Sequence, residues 1–316
     1  MADVNDSIVA GAKVGEKLID TVGKGLSGIF SPRQIKRIGK ASYEAMSLIG
    51  KGIRENADII KDPQLSGVYE RFVERSIYNG LLNEQNVENI IRLAQSSIPG
   101  DTPCSAEPVD DCWFTRFMNY AGEISNEEMQ KIWAQILAGE IQQPGAFSLR
   151  TLDVVRNISR NEALLFQKIS SFVFFDTKNF RFFSSNSKLL KKYGVTFKDI
   201  LLLKDAGLVA DGETVQFLLD DLTPIIQCLC NKEFVLMIKK EQAHYSPICF
   251  AIYSLSQAGC ELFNLLDNKV NFDYICDVAD MIYRENKHSI SGLEIHKTLE
   301  LNDSQFKCES VPLKVW

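Results

Sequence analysis

Apolar residues recur at intervals of three and four between Trp113 and Phe166, which is the spacing of one face of a helix. Four runs of this kind follow one another, so the pattern predicts four short helices. Their inward residues are Trp113, Phe117, Tyr120, Ala121 and Ile124, then Met129, Ile132, Trp133, Ile136, Leu137 and Ile141, then Leu149, Leu152, Val155 and Ile158, and then Leu164, Phe166 and Ile169. This stretch is the densest set of structural signals in the chain.

Polar residues between these runs predict where each helix begins and ends. Ser125 and Glu128 have the spacing of a capping box, in which the hydroxyl and the carboxylate accept from the free N–H groups of the first turn. Other boundary signals are a second capping box at Ser159 and Glu162, single caps at Asp110, Asp111 and Ser148, and a stop at Pro144–Gly145. All of these signals have a structural explanation, so the stretch is interpreted as a helical core and not as an active site.

Glu140 and Arg150 lie on either side of the Pro144–Gly145 stop and carry opposite charges. A half-buried ion pair between them would lock the corner. The alternative is that the two side chains form a ligand site. The structural interpretation predicts that Arg150→Ala lowers the melting temperature.

Two runs within this stretch carry a resemblance to a known family. They are W-A-x-I-L-A-G-E-I at Trp133–Ile141 and P-G-x-F-S-L-R-T-L at Pro144–Leu152. With the N-E-A-L-L-F that follows, the stretch resembles the bacterial family known as domain of unknown function 2806. The resemblance is good over about residues 110–170 and weak elsewhere. It implies a bacterial protein with relatives in settings that suggest defence against phage, and it implies no catalytic residues because the family defines none.

The pattern divides the chain into three regions. Residues 1–60 form an amphipathic basic arm, residues 61–170 a helical core domain that begins with two helices over 64–95, and residues 171–316 a smaller α/β domain. The predicted fold is therefore mostly α, a central multi-helix bundle with a smaller winged-helix-like C-terminal part.

The winged-helix interpretation depends on the order of signals after residue 195. A short helix at 196–206 is followed by A-G-L-V, by strand-length apolar runs, and by Y-x-L-S-x-A-G-x-E-L. This order resembles the last part of a winged-helix domain, whose usual role is DNA binding. The helix offers only Lys198 and Lys204 against Asp199 and Asp205, whereas helices that read DNA present more basic and amide side chains. A packing or dimerising module is favoured, and nucleic-acid binding stays the alternative.

The basic arm is the strongest charge feature of the chain. Seven Lys and Arg residues and one acid, Glu44, lie between Lys24 and Arg54, which gives a local charge of +6 in a protein of net charge −6. The candidate binding residues for a membrane surface or a protein partner are Lys24, Arg33, Lys36, Arg37 and Lys40. The alternative is an ordinary solvated helix that packs on its own protein or on a second copy.

Searches for catalytic chemistry find no complete motif. The chain has no phosphate-binding loop, no nucleophile elbow and no zinc spacing, and its eight cysteines are scattered. We therefore predict buried or neutral thiols, no cofactor and no metal. The polar start, the absence of a leader sequence and the lack of a long apolar run predict a cytoplasmic protein, with the arm reaching the inner membrane as a further option.

Taken together, these features predict a non-enzymatic, self-associating bacterial effector or scaffold in defence against phage, of the abortive-infection type. We expect a homo-oligomer whose arm engages a membrane or a partner protein. The alternative function is a nucleic-acid-binding regulator that uses the C-terminal part.

Overall fold

The computed structural model describes Lys17 and Thr21 and the ranges 63–97, 105–176, 180–212, 215–219, 226–241, 248–266, 269–301 and 306–316. The chain divides into two compact units, Met1–Leu152 and Asp153–Trp316. The first unit is helical in its described residues, and the second combines helices with a sheet.

The first unit begins with one long helix, α1 (Pro63–Ser97), of 35 residues and therefore about 52 Å in length. The prediction of two helices over this range is wrong. The second half of α1 buries Val87, Ile90 and Ala94 and packs on the helices that follow, whereas the side chains described between 67 and 85 are exposed or half-buried. An uninterrupted helix is possible because no proline follows Pro63 within it, and because Gly67 and Gly80 each cost only about 1 kcal/mol relative to alanine.

The four helices predicted from the central pattern are confirmed. They are α2 (Asp111–Ala121), α3 (Glu127–Gln142), α4 (Leu149–Asn157) and α5 (Arg160–Ser170). Phe117 lies between the rings of Trp113 and Trp133 at centroid distances of 5.2 and 5.3 Å, and all three are buried. This aromatic row joins α2 to α3, since Trp113 and Phe117 are one turn apart on α2 and Trp133 belongs to α3.

The predicted caps are correct at three places and wrong at one. Asp110 accepts from the N–H of Trp113, Ser148 accepts from Thr151, and Ser159 and Glu162 form the full capping box of α5. The cap of α3 is Asn126 rather than Ser125, because the Asn126 side chain accepts from both Glu128 and Met129. An Asn at this position satisfies two N–H groups of the first turn with a single oxygen.

The second unit contains nine strands among its described residues. In chain order its elements are β1 (Phe174–Phe175), β2 (Arg181–Ser184), α6 (Ser187–Lys192), α7 (Phe197–Asp205), β3 (Val215–Leu219), β4 (Ile226–Cys230), β5 (Phe234–Lys240), β6 (Ile248–Ser254), α8 (Gln257–Phe263), α9 (Phe272–Glu285), β7 (Ile290–Leu301), β8 (Phe306–Cys308) and β9 (Lys314–Val315). The strand order is β3-β6-β2-β1-β4-β5-β7-β8, with β9 also on β7, and every pair is antiparallel.

This sheet shows that the predicted fold class is wrong. A mostly α protein with a small winged-helix-like part would have a short hairpin, whereas the strands here form one extended antiparallel sheet in the C-terminal half. The strand-length apolar runs that follow A-G-L-V in the sequence begin near residues 215, 234 and 249, and each of them lies in a strand. The unpredicted strands include β4, with its polar and thiol residues, and the twelve-residue β7, whose mixed composition gives no clean alternation.

Two sequence signals of the second unit meet at the start of α8. The Ser256 hydroxyl caps the helix by accepting from the N–H of Gly259, and it donates to the carbonyl of Gly207, while the Ser256 N–H donates to the Leu208 carbonyl at 3.0 Å. A Cβ on Gly259 would stand 2.1 Å from that Leu208 oxygen. The A-G-L-V and L-S-x-A-G runs thus pack directly on each other. A glycine is required at position 259 because the Leu208 backbone lies too close for a side chain.

Candidate functional site

Glu140 lies at the corner between α3 and α4 and is 1% exposed. Its two carboxylate oxygens accept from the backbone N–H groups of Gly145, at 2.7 Å, and of Phe147, at 2.9 Å. A carboxylate that binds two backbone donors holds both ends of a short loop at fixed positions. The side chain predicted as corner or ligand residue is therefore bonded within the corner itself.

Gly139 explains why the loop closes at this place. A Cβ at position 139 would stand 2.7 Å from the Phe147 ring, so only a glycine leaves room for that ring against α3. Phe147 is 5% exposed. The Gly-Glu pair of the first run and the Pro-Gly-x-Phe of the second are thus complementary parts of one packed corner.

Arg150 does not take the part that sequence analysis assigned to it. It lies in the first turn of α4 with an exposed side chain, and the ion pairs of the described residues do not include one between Glu140 and Arg150. The physical reason is that the backbone N–H groups lie closer to the buried carboxylate than a long exposed guanidinium could without being desolvated. The predicted ion pair is replaced by backbone hydrogen bonds.

An open hollow of about 650 Å³ adjoins this corner. Its lining includes the acidic residues Asp110, Asp111 and Glu140, together with Trp113 and Ser148. Asp110 caps α2 and Glu140 binds the loop, so two of the three carboxylates already have backbone partners. The buried indole nitrogen of Trp113 has no hydrogen-bond partner. The geometry favours a structural corner over a ligand site.

The five basic residues predicted to bind a membrane or a partner, Lys24, Arg33, Lys36, Arg37 and Lys40, lie outside the described residues. Of the arm, the structure describes Lys17 and Thr21. The Lys17 ammonium donates to the carbonyl of Ser105 at 2.7 Å. The proposed roles of the five residues stay predictions.

The first half of α1 carries the largest group of exposed apolar side chains within one described helix. We call this group the α1 surface, and it consists of Val68, Phe72, Tyr78, Leu81 and Leu82, which are 57, 63, 63, 65 and 38% exposed. Val68 and Phe72 are four residues apart, a spacing that by itself predicts one buried helical face. The periodicity was the available signal, but it could not show that this half of α1 extends beyond the helices on which the other half packs.

A chain of polar contacts crosses β5 and β7. The Lys239 ammonium donates to Glu294 at 2.6 Å, and the ring of buried His296 lies between the other Glu294 oxygen, at 3.1 Å, and the Glu309 carbonyl, at 2.8 Å. Hydrogen bonds from Lys239 and His296 hold the pKa of Glu294 below its usual range. The contacts join the C-terminal segment to β7, and the His296 ring is already engaged at both nitrogens.

The cysteines of the described residues are all free thiols. Burial, with a smaller contribution from Cys308, raises the pKa of Cys228 to about 11, and burial with Cys228 nearby raises the pKa of Cys230 to about 12. No group of three or more potential ligands among the described His, Cys, Asp and Glu residues could hold a metal ion. The thiols of β4 are therefore neutral at physiological pH.

Alkylation rates test this assignment, because iodoacetamide reacts with the thiolate. At about pH 8, the exposed Cys112 is expected to be labelled well before Cys228 and Cys230 in the folded protein. The rate at Cys228 should rise roughly tenfold per pH unit up to its pKa of about 11, since the thiolate fraction rises in that proportion. Peptide mass spectrometry measures the three rates, and equal labelling at about pH 8 would contradict the assignment.

Among the described residues, no helix has both the length and the apolar character that crossing a membrane requires. A family model described as "Protein of unknown function (DUF2806)" matches residues 70–279, which is 210 of the 316 residues. The matched range includes both runs on which the resemblance was based. Searches of curated proteins and of solved structures gave no match.

Proposed function

Because the chain belongs to the DUF2806 family, whose description names no activity, we propose its function from its exposed surfaces: it is a self-associating scaffold that pairs with a second copy through the α1 surface. The observation that carries this proposal is the exposure of five large apolar side chains within fifteen residues of one helix.

The apolar area is of the right order for association. Aromatic side chains bury about 150–250 Å² each when fully covered, and Val and Leu bury less. Leu81 is nine residues from Phe72 and so lies on the opposite side of the helix, which leaves four roughly half-exposed side chains that offer on the order of 300–400 Å² per copy on one face. A stable interface covers about 800 Å² per partner. Neighbouring polar side chains of the same helix supply the remaining area. Several of the residues between the apolar ones are charged.

These charges are self-complementary. Arg71, Glu74 and Arg75 are exposed on the same half of α1. When two copies of a helix pack antiparallel about a two-fold axis, a residue on the N-terminal side of the axis in one copy meets a residue on the C-terminal side of the axis in the other. With the axis beside Phe72, Arg71 of each copy approaches Glu74 of the other, and both contacts are attractive. This pattern favours a second copy over an unrelated partner.

Introducing a charge into the α1 surface is expected to abolish pairing. Phe72→Glu should weaken self-association by at least about tenfold, since each copy loses a buried phenyl ring and gains a desolvated carboxylate. Phe72→Leu is the matched control and should retain pairing. Sedimentation velocity on the full chain over a range of concentrations measures the change.

Charge reversal tests the antiparallel arrangement separately. Arg71→Glu and Glu74→Arg should each weaken association, because each places like charges opposite one another, and the double variant should restore it. A full-length protein that stays monomeric at every concentration would refute the proposal. Unchanged association of Phe72→Glu would show that another segment, such as the basic arm, forms the contact.

Part of the predicted function has no support beyond sequence. The role in defence against phage and the binding of a membrane by the arm stay predictions. Nucleic-acid binding also stays a prediction, and no surface of the described residues specifically favours it.

A further inference from the structure

A second exposed apolar face lies in the other unit, between α5 and α7. The two helices pack directly on each other. The Lys168 ammonium, near the end of α5, donates to the carbonyl of Gly194, just before α7, at 2.7 Å. At the other end of α7, the Cβ position of Gly207 lies 3.2 Å from Val154 of α4, which precedes α5. The helices α5 and α7 are therefore antiparallel.

This arrangement places three exposed apolar side chains along one strip. Phe197 and Leu201 are one helical turn apart on α7 and are 67 and 43% exposed. Leu164 is one turn before Lys168 on α5 and is 55% exposed. Because the helices are antiparallel, Leu164 lies beside Leu201 along the helix axes, and Phe197 lies beside Lys168. We call these three residues the α5–α7 strip.

Basic side chains surround the Phe197 end of the strip. Lys168, Lys191 and Lys198 are exposed there, and the nearby carboxylate of Asp199 accepts from the backbone N–H of its own cap. At the other end, near Leu201, the exposed Arg160 at the start of α5 is accompanied by Glu162 and by the exposed Asp205 at the end of α7. A local excess of positive charge therefore lies at the Phe197 end of the strip, in a protein of net charge −6.

We propose that the α5–α7 strip binds an amphipathic helix of a partner protein, one that presents apolar residues to Leu164, Leu201 and Phe197 and acidic residues to the lysines. A shallow groove between two antiparallel helices accepts the apolar face of a third helix. The lysines determine the sign of charge that the partner must carry and the end at which it must carry it.

Other occupants fit less well. A nucleic acid would find apolar side chains at the centre, where phosphates and base edges need donors. A membrane inserts exposed apolar residues from helix faces or loop tips, whereas the strip is shared by two helices that pack side by side.

A pair of synthetic peptides tests the proposal on the full-length protein. The probe is an amphipathic helix of about 18 residues with leucines at i, i+4, i+7 and i+11 and glutamates in one terminal turn. Its sibling has lysines in place of the glutamates. We expect the glutamate peptide to bind roughly tenfold or more tightly than the lysine peptide in fluorescence anisotropy, and to weaken with added salt.

Variants of the protein assign the binding to the strip. Leu201→Glu should abolish binding of the glutamate peptide, whereas Leu201→Met should retain it. Reversing Lys168, Lys191 and Lys198 to glutamate should invert the preference between the two peptides. Phe72→Glu, in the other unit, should leave peptide binding unchanged, so failure of this inference is distinguishable from failure of the proposed self-association. Circular dichroism confirms that each variant is folded.

Several outcomes would overturn the proposal. These are equal affinity for the two peptides, no binding of either peptide, or binding that Leu201→Glu leaves intact. A change in the mass of the full-length protein caused by Leu201→Glu would assign the strip to a second copy. Sedimentation with vesicles of phosphatidylcholine and phosphatidylglycerol that requires Leu201 would assign it to a membrane surface.

Discussion

Replacing Gly259 by alanine is expected to lower the free energy of unfolding by about 3 kcal/mol, one of the two largest effects of a single substitution that the structure predicts. The added Cβ would stand 2.1 Å from the Leu208 oxygen and 3.1 Å from the Leu208 carbonyl carbon, and both atoms belong to the backbone. Neither atom can move out of the way by a rotamer change, as an atom of a flexible side chain could. The start of α8 must therefore move away from Leu208, which breaks the bonds of Ser256 to residues 207 and 208.

Urea unfolding followed by circular dichroism measures this loss. Gly212→Ala is the matched control, because nothing lies within 4 Å of the Cβ position of Gly212, and its effect should be within about 0.5 kcal/mol of zero. An unfolding midpoint of Gly259→Ala equal to that of the unsubstituted protein would show that the joint between Leu208 and α8 is looser than the structure has it.

Removing the Glu140 carboxylate is expected to cost about 3–5 kcal/mol, because Glu140→Ala leaves two N–H groups without their acceptor and empties a buried position. Both donors, at Gly145 and Phe147, lie in the loop that closes the corner. Glu140→Gln keeps one acceptor oxygen and should cost roughly half as much. The same urea experiment measures both variants.

Arg150→Ala is the control for the corner. Its side chain is exposed, and substitutions of that kind usually change stability by less than about 0.5 kcal/mol. This expectation replaces the sequence-based one, in which Arg150 was half of an ion pair. If Glu140→Ala proved as stable as the unsubstituted protein, the carboxylate would not hold the corner, and a ligand role in the adjoining hollow would become the better explanation.

The two candidate interaction surfaces belong to different units and differ in chemistry. The α1 surface alternates with charges of both signs, which suits a copy of itself. The α5–α7 strip carries a group of exposed lysines at its Phe197 end, which suits a partner with acidic residues at the matching end. A scaffold needs both kinds of contact, one that joins its copies and one that recruits another protein.

Local signals were sufficient for the helices of the motif stretch and for the position of the corner at Pro144–Gly145. The spacing of Trp113 and Phe117 predicted the apolar face of one helix and that of Trp133 the face of the next, and the structure buries all three together. Helix caps and stops could be predicted because a side chain that caps a helix binds backbone groups within three residues of itself. The strand at 234–240 could also be predicted from neighbouring residues, since it begins with a continuous run of apolar residues.

The amino-acid sequence by itself determined the positions of the central helices, most of their caps and the family to which the chain belongs, because each of these depends on residues close together in the chain. Only the tertiary structure decided that Glu140 binds Gly145 and Phe147 instead of Arg150, and that β4 and β7 join one large sheet. Pairing of distant strands depends on partners that no local pattern identifies. The same holds for exposure: Phe72 has the spacing of a core residue, and Leu164 belongs to the apolar pattern of its helix, yet both are exposed. Whether such residues are covered depends on where the neighbouring elements end, and the two candidate interaction surfaces could be recognised only from that.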